Sequence, residues 1–240
     1  TRGFQPGSVG KLAVLAGLFC VLENIYPHSF ADRIALLKER VDAGGPVAVY
    51  DEHTVPFYEL EGGKHYKRQV KESDRFSLFE WADHMVSVSN NGAASVLWRE
   101  VLLMRVFQSE YPCLNEMDVQ EYLDNTPRRE LMDLATDVVS CPLVSLGSEP
   151  EEWRLGPMFT RGATGIIPGQ GGSIGSPKGL IKFLIAVESG RVTDPRSSLE
   201  IKRLMYMTDR RIRYGASNAL DDAALYFKSG SFYSCDPNKS

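Results

Sequence analysis

The densest apolar stretch of the chain is residues 12–22, an unbroken run without a charged side chain. It is predicted as a buried helix, because a helix apolar on all sides belongs in an interior. The run is preceded by Gln5-Pro6-Gly7-Ser8-Val9-Gly10-Lys11, where Pro and Gly punctuate a loop and Ser8 can stand at the helix start. Ile34, Leu37 and Val41 recur at helical spacing, which predicts an amphipathic helix over 29–42 ended by Gly44-Gly45. Residues 47–50 and 55–58 alternate around Asp51-Glu52-His53-Thr54 and predict a small hairpin. Residues 61–75, opened by Gly62-Gly63, are charged and predict a solvated surface loop.

Helical texture returns at 77–87, where Ser77 and Glu80 form a capping-box pattern. Small polar residues at 86–92 break it, and helices follow at 93–107, 117–123 and 126–139. In the last of these, Thr126 reads as the cap, Pro127 as the first helical position and Glu130 as an acidic first turn. The Gly- and Pro-rich stretch 145–176 is weakly periodic, and an ordered loop of that size is often functional. Ser176-Pro177 starts a helix over 178–189 with the stripe Leu180, Phe183, Leu184 and Val187, and another helix covers 197–207. Residues 223–233 read as a strand around Lys228-Ser229-Gly230 and run into a polar tail.

Composition narrows the class. The chain has 240 residues, a net charge of -4 and 43% hydrophobic residues, which suits one compact unit or two closely joined subdomains. Mild acidity, with no basic block interleaved with aromatics, argues against nucleic acid as a partner. The apolar run 12–22 is too short to span a bilayer and is followed by Glu23 and Asn24, so no membrane-spanning segment is expected. Cys20, Cys113, Cys141 and Cys235 have no zinc-ligand spacing and demand no disulfide framework; Cys20 is expected as a buried thiol. His28, His53, His65 and His84 are dispersed, and neither a metal nor an organic cofactor is implied. The first residue is Thr, and a processed, cut or incomplete chain is expected.

Ser8 and Lys11 lie three apart, on one face of a helix and one turn from each other. Burial disfavours the charged form of a lysine, and a neutral lysine can take the proton of a serine hydroxyl and make it a nucleophile. A phosphate-binding loop is excluded, because Gln5 and Leu12 stand where the Walker pattern needs Gly and Ser or Thr. Two further motifs follow in order, Ser89-Asn90-Asn91 between two helices and Lys228-Ser229-Gly230 on the late strand. Taken singly, these are also an N-cap serine with a solvated lysine, an ordinary turn and an exposed strand end.

Together, in this order and these settings, the three motifs resemble the active-site motifs of the penicillin-recognising serine enzymes, the superfamily of class A β-lactamases and D-Ala-D-Ala peptidases. Ser89-Asn90-Asn91-Gly92-Ala93-Ala94 is similar to the class A stretch Ser-Asp-Asn-Thr-Ala-Ala. Ser176-Pro177-Lys178 is similar to the Thr-Pro-Arg start of a later helix. Thr208-Asp209-Arg210-Arg211-Ile212-Arg213, followed by Lys228-Ser229-Gly230-Ser231-Phe232, is also close to class A sequences. The resemblance implies Ser8 as nucleophile, Lys11 as its base or charged neighbour, and Ser89 as proton relay to the leaving nitrogen beside Lys228. It implies that Asn91 holds Lys11 and a substrate amide, that Lys228 and Ser229 bind a substrate carboxylate, and that Gly230 admits close approach. The backbone N–H groups of Ser8 and Ser231 would form the oxyanion hole.

Three departures stand beside it. The Glu-x-x-Leu-Asn pattern that carries the class A deacylating glutamate is missing; Glu149, in Glu149-Pro150-Glu151-Glu152-Trp153, is the candidate base, and a solvated acidic turn is the rival reading. Asn90 stands where class A enzymes usually carry Asp, and the loops at 57–75 and 109–165 are long. Most of the family's first and last strands have no counterpart.

The expectation is therefore an α/β (α+β) protein of β-lactamase and transpeptidase type, one domain over 1–240. Its helical subdomain covers roughly 20–210, and a sheet contribution at roughly 222–234 packs beside it. The expected function is a serine hydrolase acting through an acyl-enzyme on Ser8, on a β-lactam or peptidoglycan-like small molecule. The alternatives are a D-Ala-D-Ala peptidase or transpeptidase, an esterase, or a penicillin-binding sensor domain without turnover. Export to the periplasm or beyond is implied by the resemblance alone.

Overall fold

The computed structural model describes residues 3–208 and 215–231. A single 3-10 turn, Gly7–Gly10, leads into α1 (Lys11–Ile25), and α2 (Phe30–Glu39) follows. Short strands come next: β1 (Val41–Ala43), β2 (Thr54–Glu59), β3 (Lys64–Gln69) and β4 (Arg75–Ser77). Then come α3 (Leu78–Val86), α4 (Asn91–Phe107), α5 (Glu116–Asn125) and α6 (Arg128–Ser145). The described chain continues through β5 (Trp153–Arg154), α7 (Arg161–Ile166), β6 (Ile174–Gly175), α8 (Pro177–Glu188) and α9 (Pro195–Tyr206). Strand pairing among the described residues is antiparallel and strictly two by two: β1 with β4, β2 with β3, and β5 with β6. The mixed helical and antiparallel class is as expected from the sequence.

α1 is the axis of the core. Leu12, Leu15, Leu18, Phe19 and Leu22 are fully or nearly fully buried, and the helix packs against α4 and α6. Each such side chain contributes on the order of 1.5–3 kcal/mol on burial, so the turn carrying Ser8 is rooted in the firmest part of the molecule. With that turn, the continuous helical run Gly7–Ile25 reaches 19 residues, long and apolar enough to cross a membrane by length and composition. The helical run is thus longer than 12–22 alone, but it gives no clear membrane span. Within the fold, most of the run is buried against protein, as in a core helix.

Local chemistry sets most boundaries. Ser77 and Glu80 close the capping box of α3, the Asn90 side chain caps α4, and Ser176 with Pro177 starts α8. Asp194 caps α9, which begins at Pro195, two residues before the expected start.

Tertiary contacts override the pattern elsewhere. α2 stops at Glu39, because the Arg40 guanidinium reaches the carbonyls of Tyr111 (2.9 Å) and Leu114 (3.2 Å) and pulls its backbone straight. Val41 then joins β1 rather than the predicted helix. The hairpin is built from β2 and β3, with Gly62 and Gly63 at its turn, so the predicted partner 47–50 and the predicted loop 61–75 are both corrected. Stacking of Phe57 on Tyr66 (5.5 Å) and of Arg68 on Phe57 (3.7 Å) holds the charged strand that reads as loop. Thr126 closes α5 through its hydroxyl on the Tyr122 carbonyl (2.6 Å), and Pro127 takes the cap of α6 instead. The stretch 145–176 contains β5, α7 and β6. Leu184 faces outward, 48% exposed, while Phe183, Ala186 and Val187 are buried. Cys20 is only half-buried, and its thiol is pushed up mainly by that burial; Cys113 and Cys141 are exposed.

The predicted late strand differs most. Among the described residues, 223–231 forms no ladder. Its end lies against the Pro6–Val9 turn, where a helical backbone offers no edge to pair with, and Phe227 N–H reaches the Met205 carbonyl (3.1 Å). The sheet contribution assigned to 222–234 is corrected to that extent. Phe232, Tyr233, Cys235, the polar tail and 209–213 lie outside the described residues.

Candidate functional site

Two glycines let distant segments meet at the amino-terminal turn. Gly7 has φ of +54°, and a Cβ on it would stand 2.6 Å from the Ser231 carbonyl oxygen. A Cβ on Gly230 would stand 2.6 Å from the Pro6 carbonyl oxygen and 2.8 Å from Val9 Cγ2. The 228–231 segment therefore presses directly on the turn that carries Ser8, and only a residue without a side chain fits at either crossing. Ser8 sits within the 3-10 turn and makes no cap, since the cap residue of α1 is Gly10.

Lys11 opens α1 and is fully buried, yet it is surrounded by oxygen. Its Nζ donates to the Ser89 carbonyl (2.6 Å) and Asn91 Oδ1 (2.7 Å), and lies 3.1 Å from Ser8 Oγ and 3.3 Å from Ser89 Oγ. The ring of Phe159 lies 5.3 Å from the same nitrogen. Ser89 is held in the left-handed region at φ of +64°, which costs a non-glycine residue on the order of 1–3 kcal/mol. The turn is closed by the Asn90 N–H on the His84 carbonyl (3.0 Å), and it aims both the carbonyl and the hydroxyl of Ser89 at Lys11. From the other side Lys228, also buried, donates to Ser89 Oγ (2.7 Å) and to the Ser229 carbonyl (2.9 Å).

Five residues singled out in the sequence, Ser8, Lys11, Ser89, Asn91 and Lys228, thus share one hydrogen-bonded cluster drawn from three separate stretches of chain. Ser229 is half-buried beside it, and Gly230 and Ser231 are exposed at its rim. Glu149 is not brought in. It lies on an exposed turn, its N–H bonded to Glu152 Oε2 (3.3 Å), and no hydrogen bond among the described residues joins it to Ser8 or Lys11. Glu152 itself is claimed by Lys178 (2.5 Å) and Lys182 (2.6 Å), whose hydrogen bonds hold its carboxyl down at about 2. The solvated acidic turn is the reading that fits this position.

A second layer behind Asn91 was not visible in the sequence. The Asp51 side chain, 4% exposed, accepts from the backbone N–H of Asn91 (2.6 Å) and Gly92 (3.4 Å) at the start of α4. It also accepts from Asn91 Nδ2 (3.1 Å), the His53 N–H (3.2 Å) and His53 Nδ1 (2.7 Å). Burial would raise its carboxyl, but the His53 hydrogen bond and charge and the Asn91 N–H outweigh that and hold it below its ordinary value. Asn90, in the place where the resembled family usually carries Asp, caps α4 with Oδ1 and uses Nδ2 to reach the His53 carbonyl (3.0 Å). A carboxylate could not make that second bond. Forty residues separate Asp51 from Asn91, and no local spacing announces the contact.

A wide open groove of about 1020 Å³ lies elsewhere, lined by residues of α2, β1 and the start of α5, and includes none of these side chains. The cluster therefore stands out by its chemistry rather than by cavity size.

No family model matches the sequence, and no curated protein matches it. Solved structures do. A β-lactamase from Sphaerobacter thermophilus DSM 20745 superposes with a TM-score of 0.53 at 14% identity, covering 88% of this chain and 58% of that one. A variant of the penicillin-binding protein PBP-A, solved as its acyl-enzyme with penicillin G, gives 0.51 at 14% identity, covering 88% and 57%. The chain spans under three fifths of the length of these two structures. Over the span it covers, its fold is that of this β-lactamase and this penicillin-binding protein, in line with the fold that the three motifs imply.

Proposed function

We propose that the chain acts as a serine hydrolase through a covalent acyl-enzyme on Ser8, with a β-lactam as the leading substrate. The observation that carries this reading is the position of Lys11 Nζ, which has the hydroxyls of both Ser8 (3.1 Å) and Ser89 (3.3 Å) within reach. In this mechanism Ser8 Oγ attacks the lactam carbonyl carbon while Lys11 takes the hydroxyl proton. The carbon–nitrogen bond then breaks, Ser89 gives its proton to the departing nitrogen, and Lys11 restores the proton of Ser89. Lys228 supports Ser89 in that step and, with Ser229, receives the carboxylate of the substrate. The N–H groups of Ser8 and Ser231 serve as oxyanion donors. Water then hydrolyses the ester and frees Ser8. The proposal carries export to the periplasm or outside the cell, where such substrates are met.

A second reading differs only in the last step. Glu149 lies on an exposed turn and all the short-range capacity of Asp51 is taken by Asn91, Gly92 and His53. Neither is a ready base for a hydrolytic water. That favours slow release, as in a D-Ala-D-Ala peptidase, transpeptidase or penicillin-binding sensor, over fast β-lactam turnover.

Intact mass after incubation with benzylpenicillin tests both. The expected result is a mass increase equal to one penicillin, absent in Ser8→Ala. Rapid loss of the adduct together with nitrocefin turnover identifies a β-lactamase, and a persistent adduct identifies the slow-release reading. A protein that gains no mass, or gains it equally as Ser8→Ala, overturns the acyl-enzyme.

A further inference from the structure

We propose that Asp51 is a positioning residue for acyl transfer: it fixes which end of the Asn91 amide faces Lys11. The proposal rests on the acyl-enzyme reading above and extends it to a residue that touches neither Ser8 nor Lys11.

An asparagine amide has an oxygen that accepts and a nitrogen that donates, nearly identical in size, so its environment must choose between two orientations. Lys11 needs the oxygen. Asn91 Oδ1 is 2.7 Å from Lys11 Nζ, and turning the amide over would set two donors against each other. On the far side of the same amide stands Asp51 Oδ1, 3.1 Å from Nδ2. An ionised carboxylate only accepts, so it admits the NH2 end and rejects the oxygen. The orientation of Asn91 is therefore set from behind.

Asp51 is itself fixed. Its Oδ2 takes the Asn91 and Gly92 N–H groups at the positive end of α4. Its Oδ1 takes His53 Nδ1 at 2.7 Å, so that imidazole nitrogen carries its hydrogen. The side chain is 4% exposed, and its bonds cover both oxygens. The same carboxylate thus anchors the backbone and the side chain of one residue, leaving Asn91 a single way to meet Lys11. Without it, Lys11 loses a fixed acceptor and gains freedom to leave the Ser8 hydroxyl, and a misplacement of ~1 Å near a reacting centre costs ~100-fold in rate.

The test compares Asp51→Asn, Asp51→Glu and Glu52→Gln in the full chain. Asp51→Asn keeps the shape but offers only one acceptor oxygen and a competing NH2 group. Glu52→Gln removes the neighbouring exposed charge. Two quantities are read: the penicillin acylation rate per folded molecule, separated into non-covalent binding and the covalent step, and the Asn91 side-chain NH2 resonances, assigned by their loss in Asn91→Asp. The expected result is a ~10- to 100-fold slower covalent step in Asp51→Asn, partial recovery in Asp51→Glu, no change in Glu52→Gln, and loss of exchange protection of the Asn91 amide. A covalent step in Asp51→Asn equal to that of the native protein, whatever the change in Tm, overturns the proposal. If the native protein takes no penicillin, the acyl-enzyme reading fails and the NH2 resonances decide alone. An Asn91 amide unchanged by Asp51→Asn then overturns the positioning role, and a lost protection supports it. If Asp51→Asn does not fold, Asp51→Glu and His53→Gln give the same two readouts against the same criteria.

Discussion

Replacing His84 with leucine isolates the effect of one buried, unpaired imidazole. Among the described residues both ring nitrogens lack a hydrogen-bond partner, and the residue is 6% exposed. Its ring stands edge-on to Phe76 at 4.8 Å, and burial, opposed by Glu80, holds its pKa down from 6.5 to about 4. The unfolded chain therefore binds the proton between pH 6.5 and about 4 while the folded one refuses it, so stability rises with pH across that window. The contribution is fully present above 6.5 and is lost as pH falls toward 4; the whole gap corresponds to ~3 kcal/mol. Leucine removes this dependence together with two unpaired polar atoms, each costing ~1–3 kcal/mol when buried. Urea unfolding of both proteins at pH 7.5, 6 and 5 is the assay. His84→Leu is expected to gain ~2 kcal/mol on the native protein between pH 7.5 and 5. Equal losses on acidification would refute the reasoning. The His84 backbone carbonyl, which holds the Asn90 N–H that closes the Ser89 turn, is kept in leucine, so the substitution leaves that bond in place.

Asp42 has the opposite sign: burial and the nearby Glu100 raise its carboxyl from 3.8 to about 6, against the pull of Arg40. Its contribution is present below pH 3.8 and lost as pH rises through about 6, so Asp42→Asn should match the native protein at pH 4 and exceed it by up to ~3 kcal/mol at pH 7.5 in urea unfolding; a constant difference would count against this. Gly230→Ala puts a methyl group 2.6 Å from the Pro6 carbonyl oxygen and should slow acylation by ~100-fold with little change in Tm, read by mass spectrometry against time; unchanged acylation would mean the 228–231 segment does not organise the site. Glu149→Gln should leave adduct lifetime unchanged in the same experiment, and a longer lifetime would restore Glu149 as the deacylating base.

The elements read correctly from the sequence are those whose signals are local. The capping box of Ser77 and Glu80, the Ser176-Pro177 start of α8 and the all-apolar α1 each need only a few neighbouring residues. The misread elements depend on distant partners. The Arg40 guanidinium ends α2 through carbonyls more than seventy residues away, and β3 survives its charges because Arg68 lies on the Phe57 ring and pairs with Asp74. The late segment reads as a strand from its residues, but a strand is a relation between two edges, and a helical turn stands beside it. The site divides along the same line. Ser8, Lys11, Ser89, Asn91 and Lys228 stand in recognisable short motifs. Asp51, His53 and Phe159 have no motif, because orienting an amide or flooring an ammonium asks only for the right group at the right place.

The hydrogen-bond directions around Lys11 then constrain how a proton can travel. A charged lysine has three N–H donors, and two point at the Ser89 carbonyl and Asn91 Oδ1, atoms that only accept, at 2.6 and 2.7 Å. The longer contacts, at 3.1 and 3.3 Å, go to hydroxyls, which can accept or donate. The third proton of Lys11 is thus the one that can leave without breaking a bond, since the Ser8 hydroxyl can turn and donate in its place. Ser89 Oγ accepts from Lys228 at 2.7 Å, and the third Lys11 proton can turn to it, at 3.3 Å, only once it no longer serves Ser8. Its own O–H therefore points away from Lys228. In the proposed mechanism the acceptor-only groups at Lys11 and the second amine at Ser89 would order the path from Ser8 through Lys11 and Ser89 to the leaving group.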